Sequence, residues 1–160
     1  MVKNMKKPFL LLFILLLTFP AYAEEAAIEA KVIVMFDAEG FTALAKDGKL
    51  IAVKLYGIRC PTLKQPFGQQ AVQATTNAVF NKQVQMTKIG TDLIGNTLAV
   101  VKYDDRVLQE TLLGAGMAWV NRSDCNIVPC YRWITLEGNA KARKVGLWGD
   151  DNPVPPWERP

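Results

Sequence analysis

Histidine is absent from all 160 residues. Without an imidazole, a Ser-His-Asp triad and a Cys-His pair are both excluded, and three cysteines alone cannot complete a four-ligand zinc site. No internal repeat or low-complexity segment is present. A run long enough to span a bilayer is missing too: the apolar stretch from Phe9 to Phe19 amounts to about 11 residues, against the roughly 20 that a hydrocarbon core requires. Charge of one sign is scarce once the chain is divided. The net charge is +4, but removing Lys3, Lys6 and Lys7 from 19 basic side chains leaves 16 against 15 acidic ones, or +1. Such a balance disfavours a general polyanion binder.

The charged start, the short apolar run and the small-x-small site Ala21-Tyr22-Ala23 together read as a secretory signal, with cleavage expected after Ala23. Residues 24–160 are then one domain, large enough to bury its own core. Export places the cysteines in an oxidising compartment, where Cys125 and Cys130 in DCNIVPC are the natural disulfide pair. Cys60 is left over, either a buried inert residue or a reactive thiol.

AIEAKVIVMF, FTALA and LIAVKLYGI predict three strands, the second and third joined by the turn Lys46-Asp47-Gly48-Lys49. Arg59-Cys60-Pro61 should end a single strand running from Leu50 to Ile58. Residues 65–80 have helical spacing, with Phe67, Ala71, Val72, Thr75, Ala78 and Val79 on one face. KQVQMTKIG and NTLAVVKYDD predict two more strands. Helices are expected from Val107 to Gly114 and from Tyr131 to Val145, the latter stopped by Gly146. With four prolines among residues 153–160, the tail reads as an extended strap without regular structure, anchored by Trp148 and Trp157. Five strands, a helix between the third and fourth, and helices at the end suit an OB-type barrel.

VKLYGIRCPTLKQPFGQQA resembles the thermonuclease family's signature, R-L-x-G-I-D-x-P-E followed by a Q-P-[FY]-G helix start. TDLIGNTLAVVKYDDRVLQETLLGAGMAWV is similar to that family's D-x-x-G-R-x-L-A-x-V stretch and the helix after it, and WITLEGNAKARKVGLWGDDNPVPPWE to its last helix and G-L-W ending. The resemblance covers essentially all of residues 24–160. It implies a staphylococcal nuclease-like fold, a five-stranded OB barrel with three helices. The implied activity is calcium-assisted phosphodiester hydrolysis, with carboxylates on the metal, a glutamate as general base and two arginines on the phosphoryl group.

Carried across position by position, that machinery is mostly replaced. The acidic turn D-G-D-T matches Asp37-Ala38-Glu39-Gly40, leaving Glu39 at a metal-ligand position. The first arginine matches Lys54, the second metal ligand Arg59, the general base Thr62 and the second arginine Asn96. Arg59 puts a permanent positive charge where a divalent cation would sit, and Thr62 removes a contribution of roughly 100-fold to 10,000-fold. Glu39, Lys54 and Arg59 could form an internal ion-pair cluster, or Lys54 and Arg59 an anion-binding pocket, or a residual metal site could survive. Asp37 reads as a turn residue. Lys141, Arg143 and Lys144 read as a solvated face, and Tyr56, Tyr103 and the tryptophans as core.

The leading expectation is thus an exported, periplasmic or secreted, catalytically inactive thermonuclease-like domain. It would bind an anionic small molecule, a nucleic-acid fragment or an envelope protein as a monomer, without a resident cofactor and without lasting membrane insertion. One alternative is a calcium-dependent nuclease acting on DNA or RNA through a remodelled site. The other is a structural or assembly factor of the cell envelope.

Overall fold

The computed structural model describes residues 27–158. The expected signal segment, residues 1–23, lies outside the described residues. Five strands make the barrel: β1 (Ile28–Met35), β2 (Gly40–Ala45), β3 (Leu50–Leu55), β5 (Gln83–Thr91) and β6 (Thr97–Tyr103). They run in the order β3-β2-β1-β5-β6, and a parallel pairing of Val53–Leu55 with Thr97–Ala99 closes the ring. The fold is therefore the staphylococcal nuclease-like OB barrel expected, with helices α1 (Gly68–Val79), α2 (Leu108–Gly114) and α3 (Pro129–Ala142).

Alternation along the strands fills the interior. Ala30 and Val32, Phe41 and Ala43, Val53 and Leu55, Val84 and Met86, and Ala99 and Val101 are all buried. Leu112 and Leu113 of α2 and Trp133 of α3 close the core on the helical side. Such a full burial contributes about 1.5–3 kcal/mol for a large aliphatic or aromatic side chain. A polar plug completes the packing: Gln109 on α2, fully buried, accepts from Val101 N–H (3.2 Å) and donates to the Ala99 carbonyl (2.8 Å), which also accepts from Tyr56 N–H (3.0 Å).

Three expectations need correction. The strand from Leu50 does not reach Ile58 unbroken. It stops at Leu55 because Gly57 turns with φ +73°, and Ile58–Arg59 form a separate strand, β4, antiparallel to β8 (Trp119–Val120). A Cβ at Gly57 would lie 2.7 Å from Cys125 Sγ and 2.9 Å from the Trp133 ring, so the bend and the close approach both demand glycine. The last helix ends earlier than Val145. Lys144 takes the left-handed position (φ +52°), with Val145 N–H returning to Ala140 O and Lys144 N–H to Lys141 O, while Gly146 serves a close backbone crossing.

The tail is not wholly irregular either. Gly146–Gly149 and Pro156–Glu158 are short 3₁₀ turns, and Trp148 is buried, but Trp157 keeps 55% of its surface exposed. A last two-residue strand, β7 (Arg106–Val107), pairs with the end of β6. Cys125 and Cys130 are joined as expected, and Cys60 is buried. Among the described residues, no helix is long and apolar enough to cross a membrane.

Candidate functional site

The acidic turn between β1 and β2 is locked from three sides before any ligand enters the argument. Asp37 Oδ1 accepts from Glu39 N–H (2.8 Å), the Asx turn its sequence position suggests. The Glu39 carbonyl accepts from Leu55 N–H (2.8 Å), and the Ala38 carbonyl accepts from the buried Thr75 hydroxyl of α1 (2.7 Å). Gly40 pairs with Lys54 at the end of the β2–β3 ladder, which sets the turn beside the last residues of β3.

On that frame the Glu39 carboxylate, 12% exposed, meets the Arg59 guanidinium at 3.1 Å and accepts from Cys60 N–H at 3.4 Å. Arg59, 31% exposed, also approaches Asp124 at 3.9 Å. Burial pushes the Glu39 carboxyl above the ordinary glutamate value; Arg59 and then Lys54 pull it down, Asp37 adds to the rise, and burial prevails. The neighbouring Cys60 thiol is driven well up by burial and by the charges of Glu39 and Asp37.

Lys54 and Asn96 enter through strand pairing. Lys54 sits opposite Leu98 in the parallel β3–β6 contact, next to Asn96 at the mouth of the β5–β6 hairpin. Among the described residues Lys54 makes no salt bridge. Asn96 is held by Asp92, with its backbone and side-chain N–H groups both 2.8 Å from the carboxylate. Asp92 stays below the ordinary aspartate value: desolvation works against this, but the Asn96 and Ile94 hydrogen bonds and the charge of Lys54 outweigh it. Thr62 is exposed on the loop before α1, with its N–H bonded to Gln65 Oε1 (2.9 Å).

Direct contacts thus gather Glu39, Arg59 and Cys60, and pairing brings Lys54 and Asn96 to the same end of the barrel. Several partners were not foreseen from the sequence. Asp124 reaches Arg59 from the disulfide loop, which the Tyr56 hydroxyl ties to the barrel through the Asp124 carbonyl and Asn126 N–H. Glu137, 1% exposed, accepts from Val120 N–H (3.1 Å) and pairs with Arg122 (2.7 Å) and Lys141 (3.3 Å). Lys141 is accordingly not part of a free solvated face, since it also lies 4.3 Å from the Trp148 ring centroid. The only signal for Glu137 was its i,i+4 spacing to Lys141. Among the described residues, no three acidic or cysteine side chains converge as a metal site would require.

The family described as staphylococcal nuclease homologue matches residues 52–150. An uncharacterised endonuclease of Haemophilus influenzae is 34% identical over 131 residues, covering 81% of this chain and 72% of the relative. The protein ParB of Escherichia coli is 30% identical over 156 residues, covering 92% and 85% of the two chains. A micrococcal nuclease of Shigella flexneri is 29% identical over 154 residues, covering 91% and 86%.

Proposed function

This chain belongs to the staphylococcal nuclease homologue family, and from that premise we propose that it is an exported, non-hydrolysing member that holds a nucleic-acid fragment without cutting it. One observation carries the proposal: the Arg59 guanidinium pairs with Glu39 at 3.1 Å, in the place where the family resemblance puts a calcium ligand. A fixed cation there neutralises the one carboxylate retained at a metal-ligand position and repels a divalent ion. The donor set does not suit calcium, which needs six or more oxygen ligands. Thr62 offers no proton acceptor at neutral pH, and Asn96, bonded to Asp92, cannot neutralise developing charge on a phosphoryl group. Lys54, free of ion pairs among the described residues, keeps a positive point for a phosphate on the same end of the barrel.

Export is supported by the sequence of the first 23 residues and suits the Cys125–Cys130 bridge, which persists in oxidising compartments. A second reading has its own support, because the relatives from H. influenzae and S. flexneri are named as an endonuclease and a nuclease. In that reading the chain is a phosphodiesterase with a rebuilt site.

Incubating the purified chain with end-labelled single-stranded DNA and RNA, with and without calcium, separates the two. The expected result is retention of the intact strand with no calcium-dependent cleavage. Cleavage at the rate of the S. flexneri relative under the same conditions establishes the hydrolytic reading instead.

A further inference from the structure

The tail brings an aromatic face to the site. Trp157 lies past residue 150, where the family match ends, and with Arg59, Val120, Asn121, Arg122 and Ser123 it lines an open cleft of about 570 Å³. Its position is built. The ring meets Trp119 edge-on at 6.4 Å between centroids, and Trp119 is the strand partner of Arg59. The strap leading to it is latched to the Thr62 loop, since Gln65 Nε2 donates to the Val154 carbonyl (3.2 Å) while Gln65 Oε1 accepts from Thr62 N–H (2.9 Å).

The charges of this cleft are already engaged. Arg59 faces Glu39 and Asp124, and Arg122 pairs with Glu137. A bare phosphate would have to compete with three carboxylates there, so phosphate attraction cannot supply the affinity. What remains available is the half-exposed indole face beside the polar side chains of Asn121 and Ser123. A planar group with a polar edge and a π-face fits that combination, and stacking on an indole does not depend on which base is offered.

We propose that Trp157 is a stacking platform for one base of a single-stranded nucleic acid, supplied by the C-terminal strap to the Arg59 cleft. The assignment rests on the nucleic-acid-holding reading above. Binding of a labelled short thymidine oligonucleotide, measured by anisotropy in EDTA, tests it when compared with the same oligonucleotide carrying abasic sites. Expected for the wild-type chain is measurable affinity for the thymidine strand, weakened about tenfold or more by Trp157→Ala and largely kept by Trp157→Phe. The abasic strand should bind the wild type about as weakly as the thymidine strand binds Trp157→Ala, and should be indifferent to that substitution. Equal affinity of Trp157→Ala and wild type for the thymidine strand overturns the stacking assignment and leaves the nucleic-acid reading standing. So does an equal loss for both strands, which marks a merely structural role. Failure of the wild-type chain to bind either strand overturns both.

Discussion

Glu39 is a carboxylate placed where burial raises its pKa, beside a guanidinium that lowers it, and the balance falls to burial. Because the folded pKa lies above the unfolded one, the native state takes up the proton first as pH falls. Stability from this group therefore grows on acidification between the raised value and the ordinary value of about 4.3, and is lost as pH rises back through that window. Glu39→Gln removes this dependence while keeping the shape. The melting temperature of the wild type relative to Glu39→Gln is expected to increase as pH is lowered from neutrality into that window. A difference that shrinks instead would mean that the Arg59 pair outweighs desolvation. At this scale the sequence was informative about identity and poor about company. Glu39, Lys54, Arg59 and Asn96 could be picked out because each occupies a position in a local motif. Asp124 could not, because it meets Arg59 across 65 positions of chain that only the folded disulfide loop brings together.

Among elements, two joints carry the site's geometry and can be probed separately. Thr75 joins α1 to the acidic turn through a buried hydroxyl bond of 2.7 Å to the Ala38 carbonyl. Thr75→Val keeps the volume and leaves that carbonyl only the weak Cys60 thiol donor at 3.8 Å, so a loss of about 1–3 kcal/mol is expected in urea unfolding. No loss would mean that the turn holds itself. The second joint is the end of α3, where Lys144 occupies a left-handed conformation that costs an L-residue about 1 kcal/mol. Lys144→Gly should add up to that amount to the unfolding free energy, read as a higher denaturant midpoint at unchanged slope. Gly146→Ala should lower it, since a Cβ there would stand 2.3 Å from Gly116 O and 2.6 Å from Ala115 O. The helix end was misjudged from sequence for this reason: glycine is the usual left-handed residue, so Gly146 looked like the cap. Gly146 is left-handed too (φ +60°), but it lies beyond the helix end and is also held by a crossing with residues thirty positions away, which local pattern does not encode. The break at Gly57 was missed for the same cause, since an apolar run looks continuous until Trp133 and Cys125 press against it near its end.

For the whole molecule, the order of five apolar strands and the helices between and after them suited the barrel, and the family resemblance specified it. The placement of the tail was less legible, since prolines exclude long helices and ladders but not a single 3₁₀ turn, and nothing local said that Trp119 would receive Trp157. Covalent state is also a property of this scale. The Cys125–Cys130 bridge closes a short loop and so contributes only about 2 kcal/mol in the chain-entropy account, yet Asp124 adjoins the bridged Cys125 and Asn126 lies within the loop, and both bond the Tyr56 hydroxyl. Cys60 is sealed beneath the acidic turn, its Sγ 3.8 Å from the Ala38 carbonyl, and burial holds its thiol well above the range in which it would react at neutral pH. Chain recovered from a host with a general secretory pathway should therefore begin at Glu24 by intact mass. It should carry one bridge, between Cys125 and Cys130, by peptide mapping, and show one thiol that a thiol reagent titrates only after denaturation. A thiol that reacts in the native state would place Cys60 outside the core. A product retaining Met1 would remove the signal assignment, and with it the oxidising compartment from which the pairing was first expected.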